Sequence, residues 1–190
     1  ISLKGMSDMD LSQKIAEYGA EAVSYYAKMA RLKYDNEVRE EFVSARIAMA
    51  LFERDGLAAH VERDYLRIVR ELGNEVSSKD ISSMGSKRAD IAIYNPDGAP
   101  LAVIEVKICD EGDRNGAAVL SDYEKIQNLR ERVTIDTYLA ILLTDINDTK
   151  RCAIRRGNLE ESLHSPFTGD SGLIRSQDAA WEWQFLAGKF

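Results

Sequence analysis

Three residues near the middle of the chain have the types and spacing for metal-assisted hydrolysis: Asp90, Glu105 and Lys107. Two apolar segments, Arg88–Tyr94 (RADIAIY) and Leu101–Ile108 (LAVIEVKI), flank Asn95-Pro96-Asp97-Gly98-Ala99-Pro100, which is strong turn chemistry. If that turn centres between Asp97 and Gly98, Asp90 lies directly across from Glu105. Opposed residues of an antiparallel pair point to one face with Cβ atoms about 4.5–5.5 Å apart. Two bare carboxylates at that spacing repel, and a divalent cation would turn the repulsion into a binding site. Lys107 follows Glu105 by two and emerges on the same face, while Ala102, Ile104, Val106 and Ile108 take the other and can build a core. Hard oxygen ligands select Mg2+, with Mn2+ as a substitute. Such a metal suits phosphodiester hydrolysis: it polarises phosphorus, lowers the pKa of an attacking water and stabilises the leaving oxygen. Lys107 would orient that water, help deprotonate it, or neutralise charge in the transition state. The bland alternative is a structural ion-pair cluster at a sheet edge.

The elements that must position these residues follow from periodicity. Leu11, Ile15, Tyr18, Ala22, Tyr25, Met29 and Leu32 alternate four and three apart and make one helical stripe. The stripe packs on the domain or, in a sharper reading, forms a homodimer seam. Asp35 or Asn36 can cap a second helix with Val38, Phe42, Ala45, Met49 and Phe52 on its core side and Gly56 as its stop. Alternation from Ala58 predicts a strand at least through Leu66, and the Ser-rich stretch 73–87 reads as a loop. After the hairpin come a charged loop to Gly116, a helix over 117–132 and a buried strand at Tyr138–Thr144. A further helix is expected after Asp148, then a tail in which Trp181, Trp183 and Phe185 pack back on the domain. The order helix, strand, strand, strand, helix, strand predicts an α/β fold with a mixed sheet. It divides into an N-terminal helical extension (1–34), a core (35–146) and a C-terminal helical extension packed on it (147–190).

Arg-Ala-Asp90-Ile-Ala-Ile-Tyr, the turn, and Leu-Ala-Val-Ile-Glu105-Val-Lys107 together resemble the signature of the PD-(D/E)XK nuclease superfamily, the restriction-endonuclease-like fold. Ala89 stands where that signature often has proline. The resemblance covers about Asp35 to Asp145 and implies an αβββαβ core, flanked by helices, with Asp90, Glu105 and the Val106 carbonyl on the metal. Asn36 to Val43 is similar to the first helix of nuclease domains in type I restriction subunits, which often add a glutamate to the site. Glu62 on the first strand is the leading candidate for that role, with Glu37 or Glu41 behind it. Tyr123 to Leu129 resembles the helix after the Glu-x-Lys strand, from which a Gln or Lys can reach the site. Gln127 ranks first and Lys125 second, and their spacing of two on a helix keeps both from doing so.

The remaining features bound the reading. A net charge of −7 argues against extended phosphate contact, although contact depends on local patches. Lys150, Arg151, Arg155 and Arg156 form one candidate patch; Arg63, Arg67 and Arg70 form another. No apolar run approaches a membrane span, and the start has no signal-peptide pattern. Cys109 and Cys152 lack zinc or CxxC spacing, so a reducing, cytoplasmic setting is expected. His60 and His164 have no metal-spaced partner, Cys109 has no adjacent His, and GxxxxGK and GxGxxG are absent. The expected function is a Mg2+-dependent nuclease acting on DNA. Alternatives are a non-catalytic binding or assembly module that keeps the fold, or the nuclease subunit of a larger complex.

Overall fold

Alternation of small and β-branched residues on both faces makes Arg88–Tyr94 and Pro100–Cys109 the centre of a sheet. In the computed structural model, which describes residues 10–30, 38–110, 116–145, 149–175 and 182–190, these strands are β2 and β3. They pair antiparallel with Ile91 opposite Ile104, Ala92 opposite Val103 and Ile93 opposite Ala102, the register the turn predicts. Asn95 closes the turn: its side-chain oxygen accepts from the Ala99 N–H at 2.8 Å, and its carbonyl accepts from the Gly98 N–H at 3.0 Å. Strand β1 (Ala58–Asp64) runs antiparallel on the outer side of β2. Strand β4 (Asp136–Asp145) lies parallel to β3, after helix α5 (Ala117–Arg130) has crossed over. Strands β5 (Gly169–Arg175) and β6 (Glu182–Lys189) complete a six-stranded mixed sheet in the order β1-β2-β3-β4-β6-β5.

Helices α1 (Ser12–Ala30) and α2 (Glu40–Asp55) cover one face of the sheet, over Ile91, Ile93, Ile104, Val106, Tyr138 and Phe185. The other face carries α3 (Tyr65–Glu71), α4 (Ser78–Met84), α5 and α6 (Thr149–Leu163). The fold is therefore α/β with helices on both faces, and α2, β1, β2, β3, α5, β4 follow the expected αβββαβ order. None of the described helices is long and apolar enough to cross a membrane.

Several elements differ from the periodicity reading, each for a local reason. In α2 the buried side is Val43, Ile47 and Leu51, at strict i, i+4 spacing, with Ser44 and Ala48. Met49 and Phe52 are exposed, and Phe42 packs sideways on Tyr25 and Tyr26 of α1. Gly56 ends the helix in a left-handed conformation, as expected. Strand β1 stops at Asp64 rather than Leu66, because Tyr65, Ile68 and Val69 are buried at helical spacing in α3. The Ser-rich stretch holds α4, nucleated by a capping box in which Ser77 and Asp80 each bond the other's backbone N–H. Past α6 the tail forms strands: Trp183, Phe185 and Ala187 alternate into the core and pair β6 with β4. Asp35, Asn36, Glu37, Leu32 and Trp181 lie outside the described residues.

The α1 stripe is buried at Leu11, Ile15, Tyr18 and Ala22, whereas Tyr25 and Met29 are more than half exposed. Its N-terminal half is fixed to the domain by Asp10, which accepts from Ser12 and from Thr168 at the start of β5. Lys14 and Tyr18 both reach Asp55 at the end of α2. Gly19 lets the helix lie directly on the Phe185 ring, where a Cβ would overlap the ring atoms. Gly19→Ala gains about 1 kcal/mol of helix propensity but loses roughly 1–3 kcal/mol to overpacking. The expected result is a net loss of up to about 2 kcal/mol in urea unfolding, shrinking when Phe185 is also Leu; a stabilised Gly19→Ala would refute this packing.

Candidate functional site

Asp90, Glu105 and Lys107 stand on the central hairpin where β2 and β3 approach the N-terminal ends of α2 and α3 and the first turns of α5. Asp90 accepts a hydrogen bond from the Val106 N–H at 2.7 Å, which ties its carboxylate to β3. Glu105 is 1% exposed and receives the Tyr65 hydroxyl on Oε1. Among the described residues no hydrogen-bond donor reaches its other oxygen, Oε2, which is also buried; the Lys125 ammonium stands 3.7 Å away. Lys107 pairs with Glu40 at 2.9 Å and with Asp122 at 3.5 Å. Glu40, the first residue of α2, also accepts from the Ile108 N–H at 3.1 Å and so clamps the end of β3 from both sides. Asp122 is buried and makes a close ion pair with Lys125, one turn along α5.

The structure thus brings together Asp90, Glu105 and Lys107 from the sequence reading and adds Glu40, Tyr65, Asp122 and Lys125. Glu62 stands apart. It adopts a positive φ of 55°, its side chain is exposed, and its ion partner is Arg88 at 3.8 Å. Of the acids on α2, Glu40 reaches the cluster and the exposed Glu41 does not; Glu37 lies outside the described residues. From α5 it is Lys125 whose charge reaches Glu105, and half-buried Gln127 takes no part in the hydrogen bonds and ion pairs just described. Val106 contributes its N–H to Asp90. Glu40 had a sequence signal, acidic residues at a helix start, and Asp122 had its i, i+3 spacing to Lys125. Tyr65 had none while the segment was read as strand.

Electrostatics set the character of the cluster. Four carboxylates (Glu40, Asp90, Glu105, Asp122) face two ammonium groups (Lys107, Lys125), so two negative charges are uncompensated when all are ionised. Burial, with further repulsion from Asp122 and Glu40, raises Asp90 to about 6 despite the Val106 hydrogen bond. Burial and the Asp90 charge raise Glu105 to about 8 although Tyr65 and Lys125 oppose the shift. Burial works against the charge on Lys107, but the Glu40 hydrogen bond and the Asp122 charge outweigh it and hold the ammonium above its usual range. Lys125 is held up in the same way by Asp122 and Glu105. Burial beside Glu105 pushes the Tyr65 hydroxyl upward, so it remains a donor.

These residues fit a hard divalent cation. With all four carboxylates ionised the surplus charge is the right sign and size, and among the described residues buried Glu105 Oε2 lacks the hydrogen bond that such an oxygen normally finds. Among the described residues no three acidic, His or Cys groups form a ready-made metal cage. Mg2+ does not require one, since it keeps several waters and takes one or two carboxylates. Comparison of the chain with protein-family models, curated proteins and solved structures found no match.

The raised carboxylates make stability depend on pH in a defined direction. Their pKa values in the fold exceed the unfolded values near 4, so the stability they allow is complete at acid pH and is lost as pH rises through about 6 and about 8. In EDTA the urea midpoint should fall between pH 5 and pH 8.5, with a loss of unfolding free energy on the order of 2–4 kcal/mol. Glu105→Gln should remove most of that slope. A wild-type midpoint that is flat across this range would mean the pair is not buried as described.

Proposed function

We propose that this chain is a Mg2+-dependent nuclease of the PD-(D/E)XK type that hydrolyses phosphodiester bonds in DNA. The observation that carries the reading is the convergence of half-buried Asp90 and Lys107 with buried Glu105 into one net-negative cluster in which, among the described residues, one carboxylate oxygen is unsatisfied. Asp90 and Glu105 would hold the cation, with the Val106 carbonyl as a third donor. When bound, the cation polarises the phosphodiester and lowers the pKa of an attacking water. The protein's own residues do the rest. The Val106 N–H fixes one Asp90 oxygen and the Tyr65 hydroxyl fixes one Glu105 oxygen, so both carboxylates are oriented before any ligand arrives. Lys107, paired with Glu40 and Asp122, serves as a fixed ammonium that orients water and offsets phosphate charge rather than as a base.

A second reading, the nuclease subunit of a larger assembly in the cytoplasm, draws support from the fate of the basic patches. Arg63 and Arg67 are spent on Glu71, Arg156 on Glu160 and Asp170, and Arg155 on the carbonyls of Thr144 and Asp110. Lys150 and the Arg151 side chain lie outside what the structure describes. Arg70 is exposed. With the chain at −7, grip on a polyanion would then come from a partner.

Incubating plasmid and single-stranded DNA with Mg2+ or Mn2+ tests the first reading. Asp90→Ala and Lys107→Ala should each lose cleavage by about 100-fold or more. Undiminished, metal-dependent cleavage by Asp90→Ala would overturn it, whereas metal binding without cleavage in the wild type would favour the assembly.

The two acidic candidates separate in the same assay. Glu40→Gln, which frees Lys107, should cost at least about tenfold, and Glu62→Gln less than about threefold. The reverse order would return Glu62 to the site.

A further inference from the structure

Helix α5 delivers two opposite charges to the site, Asp122 and Lys125, three residues apart. The other buried residues of α5 are Val119, Ile126 and Leu129, so Asp122 is an acid on an apolar face. Its side chain is 5% exposed, and a carboxylate buried that deeply is retained only with close partners. Its oxygens divide between two of them. Oδ1 pairs closely with Lys125, and Oδ2 lies 3.5 Å from Lys107.

The consequence falls on Glu105. Lys125 stands 3.7 Å from Glu105 Oε2, beyond hydrogen-bond length, although that oxygen is buried and accepts no hydrogen bond among the described residues. Lysine has a flexible stem, and its charge-assisted bonds to carboxylates close to about 2.7–2.9 Å where nothing competes. Here Asp122 competes. Tyr65 already occupies Glu105 Oε1, so Oε2 is the atom whose availability Asp122 controls.

We propose that Asp122 is a positioning residue: it holds Lys125 beside Glu105 Oε2 instead of on it, keeping that oxygen open to a divalent cation. The inference rests on the reading of Asp90 and Glu105 as cation ligands. Before a cation binds, the nearby ammonium offsets part of the Asp90 and Glu105 charge. Once one is bound, Asp122 gives the ammonium a counter-charge, so it need not face a dication alone. Asp122 thereby influences cation affinity without touching the cation.

Calorimetric titration of Mn2+ into the full chain tests this without reference to cleavage. The proteins are wild type, Asp122→Asn, Lys125→Met and the double variant, with thermal melts confirming that each is folded. Asp122→Asn should bind about tenfold more weakly, because the released lysine takes Oε2. Lys125→Met should bind as tightly as wild type or more so, and the double variant should match Lys125→Met within about threefold. Asp122→Asn weakening binding equally with and without Lys125 would make Asp122 a ligand and overturn the proposal. So would unchanged binding in Asp122→Asn. If Asp122→Asn does not fold, Lys125→Met decides: equal or tighter binding supports the proposal and weaker binding overturns it. A wild type that binds no Mn2+ removes the cation site itself, an outcome distinct from a wild type that binds but shows no coupling.

Discussion

The structure is organised around one electrostatic constraint, the burial of the Glu105 carboxylate beside Asp90 on a central hairpin. A buried carboxylate is costly, and a second one opposite makes it more so. Three elements at that end of the sheet offset the cost: a hydroxyl from α3, a backbone N–H from β3, ammonium groups from β3 and α5. Even so, one Glu105 oxygen is left without a hydrogen bond among the described residues. A cluster that is only structural would be expected to finish the pairing, because apolar residues of similar volume stabilise a core at least as well as buried ion pairs do. In the proposed function a bound cation would complete the pairing of that oxygen.

The supporting contacts are themselves anchored, which is what gives the site a defined geometry. Tyr65 is the first residue of a helix only seven residues long, too short to be stable alone. That helix is pinned at its far end by Glu71, which accepts from Arg63, Arg67 and the Tyr94 hydroxyl. Since Arg63 belongs to β1 and Tyr94 to β2, the network locks α3 to the strands that also carry Asp90. On α5, Arg132 just past the helix pairs with Asp80 at 2.8 Å, and Asp80 closes the capping box of α4. Ser77 and Arg132 keep the Asp80 carboxylate below its usual range. The short helices α3 and α4 thus serve as spacers that fix Tyr65 and the end of α5 relative to the hairpin.

How much of this could be read from residues alone depended on the range of the interaction. The hairpin was legible because turn chemistry and alternation are local, and its register placed Asp90 against Glu105 before any tertiary information. The αβββαβ order was legible for the same reason. The face of α2 was not: Phe42, Met49 and Phe52 make as good a stripe as Val43, Ile47 and Leu51, and only the fit against α1 and the sheet selects the second. Tyr65 was hidden by a change of period in mid-segment, where a strand ends and a helix begins without an intervening loop. Glu62 was the acid the sequence favoured, and Glu40 was not among the candidates. What separates them is that Glu40 opens a helix aimed at Lys107, whereas the left-handed backbone of Glu62 leaves its side chain exposed beside Arg88. That distinction is tertiary and has no sequence signature.

The same reasoning qualifies what net charge can say about function. The chain carries 32 acidic and 25 basic residues, a balance that repels a polyanion at long range. Yet the sum mixes residues with different roles. Arg54, Arg63, Arg67, Arg88, Arg132 and Arg156 each face a carboxylate within the fold, so they cancel acids locally and contribute little to either attraction or repulsion. Four of the acids belong to the site cluster, where two ammonium groups leave an excess that a divalent cation could neutralise. The field a phosphodiester meets on approach is therefore set by whether that cation is present and by whatever basic surface a partner adds, more than by the total charge. An acidic chain and a proposed phosphodiesterase are compatible on these terms, since much of the acidity is either internally balanced or concentrated where a cation would sit.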